Sequence, residues 1–238
     1  MSDSSRSSQP AAEFDAFAGD YDAAINEGLK FTGEKKEYFA ETRIRWLKER
    51  LAQKGSQPRS CLDFGCGTGT SASLLQEGLG LEKYTGFDPS SESIAEARKD
   101  HPTGPFQFTH EVKDLPENSF DLAFCNGVFH HIPLAARDEA FQRVFQSLKP
   151  GGWFAFWENN KWNPIVHLLM SRVPFDRDAI MLFPFEAKGQ MQRAGFHIAL
   201  RDYLFVFPAS LKFLRPLEPA MCKLPTGGQY LILAQKKS

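Results

Sequence analysis

Cys61-Leu-Asp-Phe-Gly-Cys-Gly-Thr-Gly69 decides the fold. A short apolar run carrying one acid, Asp63, passes through three alternating glycines into a segment of helical character. Glycine lets such a turn bend sharply and lets a ligand approach without meeting a Cβ. Amides at the start of the following helix can hold an anionic group such as a carboxylate. The next apolar run ends in Gly86-Phe-Asp-Pro-Ser90, which puts Asp88 19 residues after Gly69. An acid about 20 residues on is where doubly wound folds grip a nucleoside ribose, and a carboxylate accepts from two vicinal hydroxyls at once. As a plain helix cap Asp88 is the weaker candidate, because Ser90 and Ser91 fill that role more naturally.

Outward from this stretch, strands and helices alternate. Ser60–Phe64, Lys83–Asp88, Phe106–Thr109, Phe120–Asn126 and Trp153–Glu158 read as strands. Thr70–Glu77, Ser91–His101 and Leu134–Leu148 read as crossover helices, the last stopped by Lys149-Pro-Gly-Gly152. Phe185–Ala194 reads as a helix closed by Gly195, with strands at Phe196–Phe207 and Gln229–Gln235. Such alternation implies a largely parallel sheet with helices on its faces. The spacing divides the chain into a Ser-rich disordered tail (1–12), an N-terminal helical cover (13–53) and one α/β domain (54–238). In the cover, Phe14, Phe17 and Tyr21 share one helix face, Gly28 and Thr32-Gly33 interrupt, and Tyr38, Phe39, Trp46, Leu47 and Leu51 mark a longer helix.

Composition narrows the function classes. The chain of 238 residues carries 28 Lys+Arg against 29 Asp+Glu, which lacks the basic footprint of a general nucleic-acid binder. No run approaches the roughly 20 apolar residues of a spanning helix, and the polar start, Met1-Ser-Asp-Ser-Ser5, is unlike a signal peptide. Four scattered cysteines are too few for a disulfide scaffold, so a reduced, cytoplasmic protein is expected. His130, His131, Cys125 and Asp121 lack zinc-like spacing, and no metal is expected.

The spacing Gly-x-Gly-x-Gly departs from the dehydrogenase pattern Gly-x-Gly-x-x-Gly, and here the sequence resembles the class I S-adenosylmethionine-dependent methyltransferases. Four blocks carry the resemblance in order: Leu62–Gly69, Gly86–Ser90, Leu115–Ile132 and Leu148–Gly152. It implies a Rossmann-like, doubly wound α/β sheet, mostly parallel with an antiparallel last strand, under an N-terminal helical cover. It also implies S-adenosylmethionine as cofactor and S-adenosylhomocysteine as product. By the same resemblance, Asp63, Gly65 and Gly67 would line the methionine end, Asp63 near its ammonium, and Asp88 would take the ribose. Glu111, where many members have Asp, and Val112 would meet the adenine. Cys125 and Asn126 would turn backbone carbonyls toward the methionine end.

His130 and His131 follow at that mouth and are the candidate catalytic bases, since an oxygen or nitrogen acceptor must lose a proton; the alternative is that they only shape the pocket. Tyr21 is expected at the acceptor pocket, on an N-terminal lid hinged around Gly28 and Gly33. Asn126-Gly-Val-Phe129 differs from the Pro-Pro-aromatic signature of adenine-modifying relatives, and no cysteine follows proline as in cytosine-C5 relatives. A small-molecule or lipid-like acceptor is therefore expected ahead of nucleic acid. The insertion Pro208–Thr226 sets Leu211, Phe213, Leu214, Leu217, Met221 and Leu224 among Lys212, Arg215 and Lys223. It reads as a lid packed on the domain, or else as a lid for a lipophilic acceptor or a peripheral membrane contact. A non-catalytic S-adenosylmethionine-binding protein and a nicotinamide-dependent oxidoreductase stay open as alternatives.

Overall fold

The computed structural model describes residues 32–172 and 179–237. Helix α1 (Lys36–Gln53) leads into β1 (Ser60–Phe64), α2 (Ala72–Leu79), β2 (Lys83–Phe87), α3 (Ser91–Asp100), β3 (Phe106–Thr109) and β4 (Phe120–Asn126). Then come α4 (Arg137–Ser147), β5 (Leu148–Asn159), α5 (Pro164–Met170), α6 (Pro184–Arg193), β6 (Phe196–Leu204), a 3₁₀ run (Ala209–Leu217), α7 (Glu218–Met221) and β7 (Gln229–Lys236). The sheet order is β3-β2-β1-β4-β5-β7-β6, and β7 runs antiparallel to both neighbours. The doubly wound, mostly parallel sheet with an antiparallel last strand is as expected. The expected tail, Phe14, Phe17, Tyr21 and Gly28 lie outside the described residues.

Each sheet face carries its own core. On one, Leu62, Phe64, Phe129, Phe141, Phe154, Phe156 and Tyr230 pack together; on the other, Leu47 and Leu51 of α1 meet Cys61, Tyr84, Phe124, Trp157, Leu231 and Leu233. Side chains alternate between faces along a strand, so each strand splits its residues between the two cores.

Several boundaries differ from the sequence reading, each for a local reason. Leu148 leaves α4 and begins β5 by pairing with Phe120, so Lys149-Pro-Gly-Gly152 is not a stop between elements but a bulged entrance to the strand. Helix α2 ends later than expected, at Leu79, because Gly80 takes the left-handed cap conformation at φ 69°. Strand β6 stops at Leu204 rather than Phe207, since Phe205 adopts φ 66° and its carbonyl accepts from the Gly228 amide at 3.1 Å. A Cβ at Gly227 would sit 2.3 Å from the Leu204 carbonyl oxygen, so that crossing of the chain requires glycine.

One buried carboxylate ties α1 to the far end of the chain. Asp202 of β6 accepts from Trp46 Nε1 at 3.0 Å and Arg50 Nε at 2.7 Å, and also pairs with Lys223. Burial alone would push this carboxyl up; bonds from Lys223, Trp46 and Arg50 outweigh that and hold it below the usual range. Because its folded pKa is depressed, the stabilisation is present above the ordinary Asp range and is lost as pH falls through the folded value. The insertion is anchored beside it: Glu218 accepts from the amides of Val206 and Phe207, and Arg215 pairs with Glu34 at 2.8 Å while lying 4.3 Å over the Tyr38 ring. Phe213 of the insertion stays 72% exposed. We expect Asp202→Ala to lower stability by about 3 kcal/mol at pH 7, since it leaves the largely buried Arg50 guanidinium and the Trp46 indole without their acceptor. The deficit shrinks toward pH 3 in urea titrations.

Candidate active site

The strand order reverses between β1 and β4, and in open α/β sheets the ligand crevice lies outside the carboxyl ends of strands at that switch point. Three loops are laced together there. The Phe87 carbonyl accepts the amides of Gly65 at 2.7 Å and Cys66 at 3.0 Å, and the Asp88 amide donates to the Thr109 carbonyl at 3.2 Å. Asp88 returns the tie: its carboxylate accepts from the amide of Gly67 at 2.9 Å and from that of Ser90 at 3.0 Å. Ser90, as expected, caps α3 by accepting from the Ser93 amide at 3.1 Å.

The glycines of the first loop do different jobs. All three have positive φ (81°, 53° and 75° at Gly65, Gly67 and Gly69). A Cβ at Gly65 would collide with Val128 Cγ2 at 2.3 Å, whereas one at Gly67 would meet nothing within 4 Å. Gly65 thus serves packing, and Gly67 opens onto space a ligand can fill.

Asp63 is 3% exposed and accepts a 2.7 Å hydrogen bond from the Tyr84 hydroxyl of the neighbouring strand. Its pKa is raised to about 7, chiefly by burial and further by the charge of Asp88, against the lowering effect of the Tyr84 bond. Tyr84 itself is pushed well above its ordinary value, chiefly by burial, and remains a donor. At the end of β3, Glu111 donates its amide to Thr109 Oγ1 at 3.1 Å, with Lys113 3.5 Å from its carboxylate. Val112 beside it is 46% exposed, an apolar surface at the crevice rim. Cys125 buries its side chain completely in the core, and the Asn126 Oδ1 is buried without a hydrogen-bond partner.

After β4, residues 127–131 form a tight turn anchored by Phe129, whose ring lies 4.1 Å from Phe141 and 5.2 Å from Phe156. Sequence reasoning missed the group that fixes this turn. Glu158, fully buried at the end of β5, accepts from the Phe129 amide at 2.8 Å and stands 2.7 Å from His130 Nδ1. Burial raises the Glu158 carboxyl, but the charge and hydrogen bond of His130, the Asn159 amide and His131 pull it below its ordinary value. An ionised carboxylate only accepts, so His130 carries its proton on Nδ1. His131 is half-buried, its ring centroid 4.1 Å from that of His130. The structure therefore gathers Asp63, Gly65, Gly67, Asp88, Glu111, Val112, Cys125, Asn126, His130 and His131 along the carboxyl ends of β1 to β4, while Tyr21 lies outside the described residues.

Fold and crevice together define an α/β protein with a nucleoside-type cofactor cleft. The family model described as a methyltransferase domain matches residues 37–200, and the chain belongs to this family, the class I S-adenosylmethionine-dependent methyltransferases. It is 30% identical over 161 residues to the trans-aconitate 2-methyltransferase of Escherichia coli O1:K1, covering 67% of this chain and 61% of that protein. It is also 30% identical over 138 residues to the protein of the same name from Rhodopseudomonas palustris BisA53, covering 58% and 53%. The chain thus spans little more than half the length of these relatives. Among solved structures it is similar in fold to the N-methyltransferase NodS of Bradyrhizobium japonicum in complex with S-adenosylhomocysteine, at TM-score 0.65 and 11% identity over 96% of this chain and 99% of that one. A Haloferax volcanii protein bound to a methyltransferase activator gives TM-score 0.66 and 21% identity over 95% and 98%.

The two glycines separate stability from binding. We expect Gly65→Ala to cost about 2 kcal/mol or more through overpacking and left-handed strain. Gly67→Ala should fold with only the strain of about 1 kcal/mol yet lose at least tenfold in S-adenosylmethionine affinity, read by thermal melting and calorimetry.

Proposed function

We propose that this protein transfers a methyl group from S-adenosylmethionine to a small-molecule acceptor. The observation that carries the reading is the open face of Gly67 between two carboxylates, Asp63 and Asp88, at the switch point of the sheet. These residues fit the cofactor. Asp88, oriented by two backbone amides, is a carboxylate of the kind that accepts from ribose hydroxyls. Asp63, a buried acid whose bonded partner is a neutral hydroxyl, suits the ammonium. Val112 and Glu111 suit the adenine, and the carbonyls of Cys125 and Asn126 suit the methionine end.

When bound, the cofactor supplies an electrophilic methyl group on a sulfonium. The chain's own work is to align the acceptor, exclude water and take a proton where the acceptor carries one, alignment alone being worth about 7–11 kcal/mol in favourable cases. His131 is the candidate base. His130, clamped by Glu158, braces the turn that presents it. The acceptor pocket would be completed by the N-terminal cover, including Tyr21, and by the Pro208–Thr226 insertion as its lid.

Calorimetry with S-adenosylmethionine and with NAD tests the cofactor, and transfer of labelled methyl groups into a metabolite pool, with trans-aconitate in the first panel, tests the activity. Saturable binding of the first cofactor with labelling of a small molecule is expected. Binding of NAD instead, or binding without any transfer, overturns the reading.

The Asp63 carboxyl predicts a pH signature. Its folded pKa, about 7, lies above the ordinary Asp value, so its contribution to the free protein's stability is full at low pH and is lost as pH rises through about 7. An ammonium beside it favours the ionised form. Cofactor binding at pH 6 should therefore release a proton from Asp63, and affinity should fall as pH drops below about 7. Asp63→Asn should weaken binding and flatten its dependence between pH 5.5 and 7, read by calorimetry in buffers of differing ionisation enthalpy.

A further inference from the structure

Resting on the methyl-transfer reading, we propose that Arg43 is the specificity-determining residue of the acceptor pocket and that the acceptor carries a carboxylate. Arg43 stands one helical turn before Leu47, on the face by which α1 sits on the sheet, and is only 9% exposed. Arginine is almost never buried without a counter-charge. Elsewhere in the fold Arg50 has Asp202, Arg193 has Asp138 and Arg215 has Glu34, while the buried Arg137 spends its Nε and Nη2 donors on the carbonyls of Ile132 and Ile180. Among the described residues, no carboxylate pairs with Arg43. Its side chain donates to the neutral Gln229 Oε1 at 3.0 Å, and Gln229 is turned for this by donating its own amide to Asn159 Oδ1 at 3.1 Å. Burial lowers the guanidinium pKa to about 10, which leaves it charged at neutral pH.

A second observation points to a ligand on the same face. Gln229 lies opposite Asn159, two residues beyond Trp157, and Trp157 lies beside Asn126 in the parallel pair. By strand alternation these side chains share the α1 face with Asp63. The Trp157 indole N–H is completely buried without a hydrogen-bond partner, and so is Asn126 Oδ1. From Asn126 at the cofactor cleft to Gln229 is two strand spacings across and two residues along, ~12 Å. A cation with donors beyond its single bond to Gln229 and an unmatched indole donor therefore lie on the sheet face and at the sheet end that carry the cleft. The planar guanidinium fork matches a carboxylate in two parallel hydrogen bonds. One buried guanidinium balances a single charge, which favours a carboxylate over a phosphate dianion.

The test uses the full chain saturated with S-adenosylhomocysteine. Calorimetry measures binding of mono-, di- and tricarboxylates, trans-aconitate among them, each against its methyl ester, with phenyl phosphate as a further arm. A carboxylate should bind where its ester does not, and Arg43→Met should weaken it at least 30-fold while changing S-adenosylhomocysteine affinity less than twofold. Arg43→Lys keeps the charge without the fork, so it should fold even if the methionine variant does not, and it should weaken the same ligand about tenfold. Equal binding of acid and ester, preference for the phosphate, no carboxylate bound, or unchanged affinity in Arg43→Lys overturns the proposal. If the wild-type protein fails to bind S-adenosylhomocysteine, the methyltransferase reading falls first and this inference with it.

Discussion

A single carbonyl oxygen, that of Phe87, accepts two successive amides from the glycine loop, and the cleft depends on that shared acceptor. It draws residues 65 and 66 over the end of β2, and the chain can follow only with positive φ at Gly65 and Gly67. The same pull presses Gly65 against Val128, so the loop after β1 and the turn after β4 cannot move independently. Val128 leads directly to Phe129, packed among Phe64, Phe141 and Phe156, and then to the His130–Glu158 pair. Backbone geometry at the cofactor cleft is thus transmitted to the histidines through close packing rather than through a flexible segment.

On the α1 face, charge is distributed unevenly along the carboxyl edge of the sheet, while Glu158 at the end of β5 lies on the other face with His130. Asp63 and Asp88 lie at the β1 and β2 ends, while Arg43 and the indole donor of Trp157 lie across β5 and β7. On the proposed function this polarity matches the two reactants, a cationic donor held by carboxylates and an anionic acceptor held by a guanidinium. Long-range attraction in this low-dielectric crevice would then favour the productive orientation over its reverse.

The half of the site proposed to hold the cofactor was legible in the sequence because its parts are local. The acid, three glycines and the next acid fall within 26 residues, and each strand-to-loop step carries its own turn signal. The other half was not. Glu158 reads as one more residue at the end of an apolar strand; only the return of the 127–131 turn onto β5 makes it a clamp. Tyr84 reads as core, and only register places its hydroxyl on Asp63. Arg43 left a fainter trace: a charged residue in phase with Leu47 and Leu51 on the apolar side of a helix, easily absorbed as a solvated position. Boundaries failed where the backbone did something unusual, at the bulge entering β5 and at the left-handed Phe205, because neither follows from side-chain periodicity.

The Asp202 tie and the Arg43–Gln229 bond join residues separated by between 152 and 186 positions in sequence. During synthesis α1 emerges early, yet its polar partners on β6 and β7 are among the last segments made, and β5 waits beside an empty edge until β7 inserts next to it. The β1 to β4 half, with its short parallel pairings, can close around the glycine loop first. The wall bearing Arg43 is finished only when the chain has passed residue 229, so order of assembly separates the cleft for the common cofactor from the surface that distinguishes one acceptor from another. Slow, non-local closure of this kind is what high contact order imposes on folding.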